Sequence, residues 1–495
     1  MNKLIFRRQY ILGSKPIKKF KNWENIKIND NVYVTAHPDL EIEQYIGKTN
    51  TITLLGFVID PSNPLLSNYE IIKNICRNVS CFDEVLNMTY ALSGRYIIIY
   101  SDKNETKIVN DLIGLREVYY TKVNGEIWCG SDSSILNNVL NLRKRKDPEL
   151  IRYYESKYFK NNENPWFGNE TIYENTYHLL PNFYFNYSEG TTSRYWINKE
   201  NSNKLEEATE QISEILKNSL FGANLRYDLI LPVTAGLDSR ILLSATKNIS
   251  DDFYYYVSKM KMKDNHPDIK IPSRLLPKLG LTLNTLNNMS PLRKDVENIL
   301  KNNIELFRNG HDRNITTQYY MDNFSNKVNV SGVVSEVGRN YYGINHPTND
   351  NIDSNYLMTL IEIPMQFSYV KKQLESWLLS AKEFAKGKNI SVVNLFYWEQ
   401  RMGNWGSLTA NEEDIAIENF MPFNNRKLLM VIMSVDDNYR VSPDFILYKK
   451  VAENLWPEVL SEPINPEPIS SKIFNKIFPK RAKNKIKYIT KFFNK

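Results

Sequence analysis

From Asp228 to Ala245 the chain reads DLILPVTAGLDSRILLSA, an apolar run that breaks into Thr234-Ala235-Gly236-Leu237-Asp238-Ser239 and then continues as a helix. The stretches around it repeat the same alternation. KLEEATEQISEILKNSL has helical spacing before it, and DFYYYVSK, LTLNTLN and KVNVSGVVSE read as further strands separated by helical segments. Strands alternating with helices constrain a chain strongly, because only a parallel sheet covered on both faces buries every element. The segment HPDIKIPSRLLPKLG is expected to be one of the covering helices, capped by Asp268 and stopped near Gly280. Beyond Asp350 the pattern is mainly helical.

The first 140 residues have another rhythm. NTITLLGFVID and GRYIIIYSD are β-branched and aromatic runs, and EVYYTKVNGEIWCGS predicts a hairpin turning at Asn124-Gly125. An antiparallel β-rich domain therefore precedes the α/β domain. The whole chain's 495 residues, 42% hydrophobic and 24% charged, suit a globular protein of several domains.

Ligands bind beyond the carboxyl ends of parallel strands, and the 234–239 loop lies at such an end. Small residues let backbone N–H groups approach an anion, and the following helix adds partial positive charge. Thr234 and Ser239 add hydroxyls. Asp238 repels phosphate unless a cation lies between them, and Mg²⁺ is the expected bridge. GxxxxGK[ST] is absent, so this is not a Walker loop. An ordinary small-residue turn is the plainer alternative.

These residues resemble the SGGxDS pyrophosphate loop of the asparagine synthetase-like ATP pyrophosphatases. Ser331-Gly332-Val333-Val334-Ser335-Glu336 is similar to that family's SGEGADE segment. DLIGLREVYY followed by CGSDSSIL resembles part of its N-terminal glutaminase-type domain. ENFMPFNNRKLL and ILYKKVAENLWPEVL resemble stretches near its C-terminus. The resemblance implies an Ntn-hydrolase-like β-rich domain over 1–195 and a doubly wound PP-loop synthetase domain with a helical C-terminal part over 196–465. A basic amphipathic tail follows over 466–495. The fold class is thus α/β combined with α+β.

The chemistry so implied is AMP-forming amide ligation, in which ATP adenylates a carboxylate and an amine displaces AMP. By position, Thr234, Ala235, Gly236, Leu237, Asp238 and Ser239 would cradle pyrophosphate. Val257, Ser331 and Gly332 would line the nucleotide, and Asp238 and Glu336 would hold Mg²⁺. The cofactors implied are ATP and Mg²⁺. The partners are small-molecule, sugar or peptide carboxylates and amines, and nucleic acid is not among them.

The chain also departs from the family. Asn2 stands where glutamine-hydrolysing members have their cysteine, and an amide is no thiolate nucleophile, so no glutaminase activity is expected. Val333 replaces a catalytic acid, and SEPINPEPIS replaces a basic residue unless Lys472 or a nearby arginine supplies one. Arg339 is expected to grip phosphate or a substrate carboxylate, Glu399 to act as base, and Arg401 to be a second anion clamp. With Val333 and the missing lysine, a catalytically inactive nucleotide-binding or regulatory protein is the alternative. His266 and His311 are expected as capping or surface residues, and the aromatic runs FYYYV, NLFYW and NYYG as core.

Between Ser471 and Lys495 lie nine basic residues and no acid, which leaves 54 basic against 56 acidic residues in the rest of the chain. Isoleucines and phenylalanines recur among these lysines, so the tail is expected to lie on an anionic membrane surface, to dock on protein, or to be solvated. Cys76, Cys81 and Cys129 have no paired spacing, and the N-terminus lacks a secretory signal pattern. A cytoplasmic location is expected, with membrane association through the tail left open.

Overall fold

A computed structural model describes residues 2–200, 204–287, 290–309 and 312–466. The tail over 471–495, with Lys472, lies outside them, as does His311.

Strands as far as Thr191–Arg194 form two six-stranded sheets in which every recorded pairing is antiparallel. The hairpin Tyr119–Val123/Glu126–Gly130 turns at Asn124-Gly125, with φ of 52° and 84°. Two consecutive positive φ angles give the turn whose twist matches its strands. Ile97, Ile99, Leu55 and Phe185 meet Leu12, Val34 and Cys129 in one buried cluster between the sheets.

The later part holds five parallel strands: Leu229–Pro232, Tyr254–Ser258, Asn284–Leu286, Val328–Val330 and Glu418–Phe420. Counted along the chain, their order in the sheet is third, second, first, fourth, fifth. The direction of winding therefore reverses between the first and fourth strands, and a crevice opens where their loops part. The helices Leu205–Asn224, Leu237–Ala245 and Ile446–Leu455 pack together on one face.

Two sequence expectations are corrected here. The helix Pro267–Lys278 is capped by His266, whose Nδ1 accepts from the Asp268 amide, so Asp268 is freed for another contact. The fifth strand, Glu418–Phe420, lies inside the C-terminal part whose pattern is mainly helical. It has only three residues, too few for an alternation to show.

Buried charge joins the antiparallel part to this strand. Arg95 donates to Asp414 and Glu418, and Arg116 reaches Glu418 at 2.8 Å. Burial opposes charge on Glu418, but Arg116, Arg95 and Arg8 together hold its carboxyl well below the usual range. No described helix is long and apolar enough to cross a membrane.

Candidate functional site

The loops after the first and fourth strands face each other across the crevice. In the first loop, the Thr234 amide donates to Ser239 Oγ at 3.1 Å and the Gly236 amide to Thr234 Oγ1 at 3.1 Å. The Ala235 amide donates to Asp268 Oδ1 at 3.0 Å. These bonds shape the turn from within. Gly236 occupies the cap position of the Leu237–Ala245 helix, and no side chain caps it. The first-turn amides of Leu237, Asp238 and Ser239 are thus available to an anion.

The second loop turns through Gly332 into a short helix, Val333–Gly338. A Cβ on Gly332 would lie 2.8 Å from the Asp238 Cβ, so glycine sets how closely the loops approach. Ser335 Oγ donates to Asp238 Oδ1 at 2.7 Å, and Arg339 Nη2 lies 3.0 Å from Asp238 Oδ2. The same Nη2 is 3.5 Å from Glu336 Oε1. Two carboxylates from separate loops therefore converge on one cation.

Burial raises the Glu336 carboxyl above its ordinary value, against the Tyr397 hydroxyl that donates to it and the Arg339 charge beside it. Burial works against charge on Arg339, but Asp238, Tyr448, Glu336 and Tyr397 together outweigh it, and the guanidinium is held above its usual value. Phe445 and Tyr448 pack on the guanidinium at 5.3 and 5.8 Å, which fixes its plane. Asp238 and Glu336 offer carboxylate oxygens, the ligand type Mg²⁺ takes, and Arg339 bridges the two here.

The remaining expected site residues fall in three places. Ser331 lies at the crevice with its amide bonded to the Phe420 carbonyl at 2.9 Å. Val257 is buried within the second strand, beside the crevice rather than open to it. Glu399 is corrected. Its carboxylate is wholly buried and accepts from Trp377 Nε1 and Arg194 Nη2, both at 2.8 Å, and from Asn182 at 3.2 Å. Burial raises its proton affinity and Arg194 opposes that. Such a group is a structural tie to the Phe183–Asn186 and Thr191–Arg194 region, with no open edge toward a substrate.

Three contributors escaped sequence reasoning. Asp268 supports the loop through the Ala235 amide. Tyr397 opens a π-helix, Tyr397–Gly406, and ties it to Glu336. Asn465 lays its amide on the Ala235 carbonyl at 3.0 Å, so SEPIN crosses the Thr234–Ser239 loop. Buried Arg240 anchors that crossing, donating to the carbonyls of Val459, Glu462 and Pro463. Only the spacing of Asp268 just inside a helix start offered a hint. The other contacts join residues more than 60 positions apart.

No family model matches the chain, and no curated protein sequence matches it. Among solved structures it is similar to glutamine phosphoribosylpyrophosphate amidotransferase from B. subtilis complexed with ADP and GMP. That likeness has 11% identity over 63% of this chain and 90% of the other, with a TM-score of 0.26. An allosteric regulatory enzyme of purine biosynthesis is similar at 12% identity over 47% of this chain, with a TM-score of 0.25. The match spans 56% of that enzyme's length. Overlap at this level carries no functional argument.

Proposed function

We propose that the chain is an ATP-dependent, AMP-forming amide ligase resembling asparagine synthetase, without glutaminase activity of its own. The observation that supports this reading most is the meeting of Asp238 and Glu336 on one guanidinium at the reversal point of a parallel sheet. An anion-binding turn needs no carboxylate. A nucleotide site that works with a divalent cation does.

In this reading the amides of Leu237, Asp238 and Ser239 bind the phosphates that leave as pyrophosphate. Asp238 and Glu336 would hold Mg²⁺, which supplies neutralisation of the charge growing on that leaving group. Arg339 orients both carboxylates. The amine comes from ammonia or an amino substrate, because Asn2 provides no nucleophile for releasing it from glutamine.

Pyrophosphate release from MgATP, measured with the full chain against a panel of carboxylic acids and amines, tests the reading. Release that needs both an acid and Asp238 supports it. The alternative, a nucleotide-binding protein without turnover, is favoured by Val333 at the position of a catalytic acid and by Arg339 already neutralising the carboxylate pair. MgATP binding with no pyrophosphate release under any pairing would select that alternative.

A further inference from the structure

The π-helix Tyr397–Gly406 leads away from Glu336 and presents a face that the nucleotide reading leaves unused. Tyr397, Arg401 and Trp405 are spaced four apart, close to one turn, and so share that face. At its near end Tyr341, 55% exposed, stacks on Tyr397 with ring centroids 4.6 Å apart and planes at 24°. Tyr342 stands edge-on to Tyr341 at 5.1 Å and completes a corner of rings. A large aromatic side chain half in solvent is a poor core residue and a good platform.

Arg401 lies over the Trp405 ring, with its guanidinium carbon 4.3 Å from the ring centroid. Trp405 is itself fixed by its indole N–H, which donates to Glu163 at 2.6 Å. Other arginines around the crevice are committed. Arg339 serves Asp238 and Glu336, Arg240 serves three carbonyls, and Arg440 serves Asp437 and the Gly338 carbonyl. Arg401 differs: among the described residues its recorded contact is with the Trp405 ring, and none of its nitrogens is buried without a partner. Its N–H edge is therefore open to water. Arg401 follows about one turn after Tyr397, the ring on which Tyr341 stacks and whose hydroxyl donates to Glu336.

A guanidinium clamped on an indole, with a free fork of donors, is pre-organised for a carboxylate. The neighbouring exposed ring offers stacking area but no charge. We propose that Arg401 and Tyr341 form the subsite for the substrate end remote from the reacting carboxyl, and that it takes a carboxylate carried on a flat ring. The assignment of this group to a substrate rests on the ligase reading. The binding chemistry itself does not.

Benzoate is the smallest probe with both features, and its binding to the full chain is read by saturation-transfer NMR and calorimetry. Acetate carries the charge without the ring, and benzyl alcohol the ring without the charge. Benzoate is expected to bind more tightly than either. Arg401→Met weakens it at least about tenfold, as loss of a charge-assisted pair should. Arg401→Lys restores part of the loss, and Tyr341→Ala costs about fivefold. Asp238→Asn is expected to remove MgATP binding and leave benzoate binding in place. The proposal is overturned if the wild-type chain does not bind benzoate, if Arg401→Met binds it equally, or if acetate binds as well. Benzoate binding that needs Arg401 in a chain that never releases pyrophosphate would sink the ligase reading alone.

Discussion

Asp238 Oδ2 and Arg339 Nη2 stand 3.0 Å apart although 101 positions separate the residues in the chain. This pair bridges the loops that follow the first and fourth parallel strands. It also gives a half-buried carboxylate its counter-charge.

Removing the acid tests the proposed nucleotide site directly. Asp238→Ala is expected to weaken MgATP binding at least tenfold by calorimetry while the far-ultraviolet circular dichroism stays unchanged. Retained affinity would mean that the loop holds no nucleotide through a metal.

Removing the base exposes two neighbouring carboxylates to each other. Arg339→Met is expected to cost about 2 kcal/mol in denaturant unfolding, since it breaks a largely buried pair. The Glu336 carboxyl should rise further, and Glu336→Gln in the same background should recover part of the loss. A double-mutant cycle with no coupling would contradict the shared cation.

Gly332→Ala would put a methyl 2.8 Å from the Asp238 Cβ. The two loops must part to admit it. A loss of about 1–3 kcal/mol is expected, with weaker MgATP binding. Unchanged melting and binding would show that the approach of the loops is not tight.

Glu399 distinguishes a structural tie from a base. Glu399→Gln sets an amide against the donors of Trp377, Arg194 and Asn182, and is expected to destabilise the chain by about 3 kcal/mol. MgATP affinity should change less than twofold. A stable variant with lost turnover would restore the catalytic role.

Asp132 sets a pH dependence far from the crevice. Burial pushes its carboxyl up to about 7 from 3.8, against bonds from the Ser134 and Glu305 amides. The folded chain therefore keeps a proton that the unfolded chain releases across this window, and this group's contribution to stability falls as pH rises through it. Asp132→Asn keeps the acceptor that caps the helix and removes the charge. It should match the wild type near pH 4 and exceed it at pH 8, by at most roughly 4 kcal/mol. Equal unfolding curves at both pH values would refute the shift.

Much of the fold was legible because its signals are local. The Asn124-Gly125 turn, the Leu205–Asn224 helix and the break at Thr234–Ser239 each follow from residues within one window of chain. The cap on Pro267–Lys278 was misread because Asp268 carries the usual capping side chain, while the neighbouring His266 accepts the bond. Glu399 and Arg401, two positions apart, are both expected at the site, one as a base and the other as an anion clamp. Rotation along the helix turns one into the Trp377–Arg194 network and leaves the other on Trp405.

By itself the sequence determined the periodicities, the turn chemistry and the small-residue loop, since backbone preference and apolar spacing act over a few residues. Only the tertiary structure decided which charges meet. Asp238, Glu336 and Arg339, or Asn465 and Ala235, come together through strand order and helix packing, and a charge pair has no signature in a chain until the fold sets its distance.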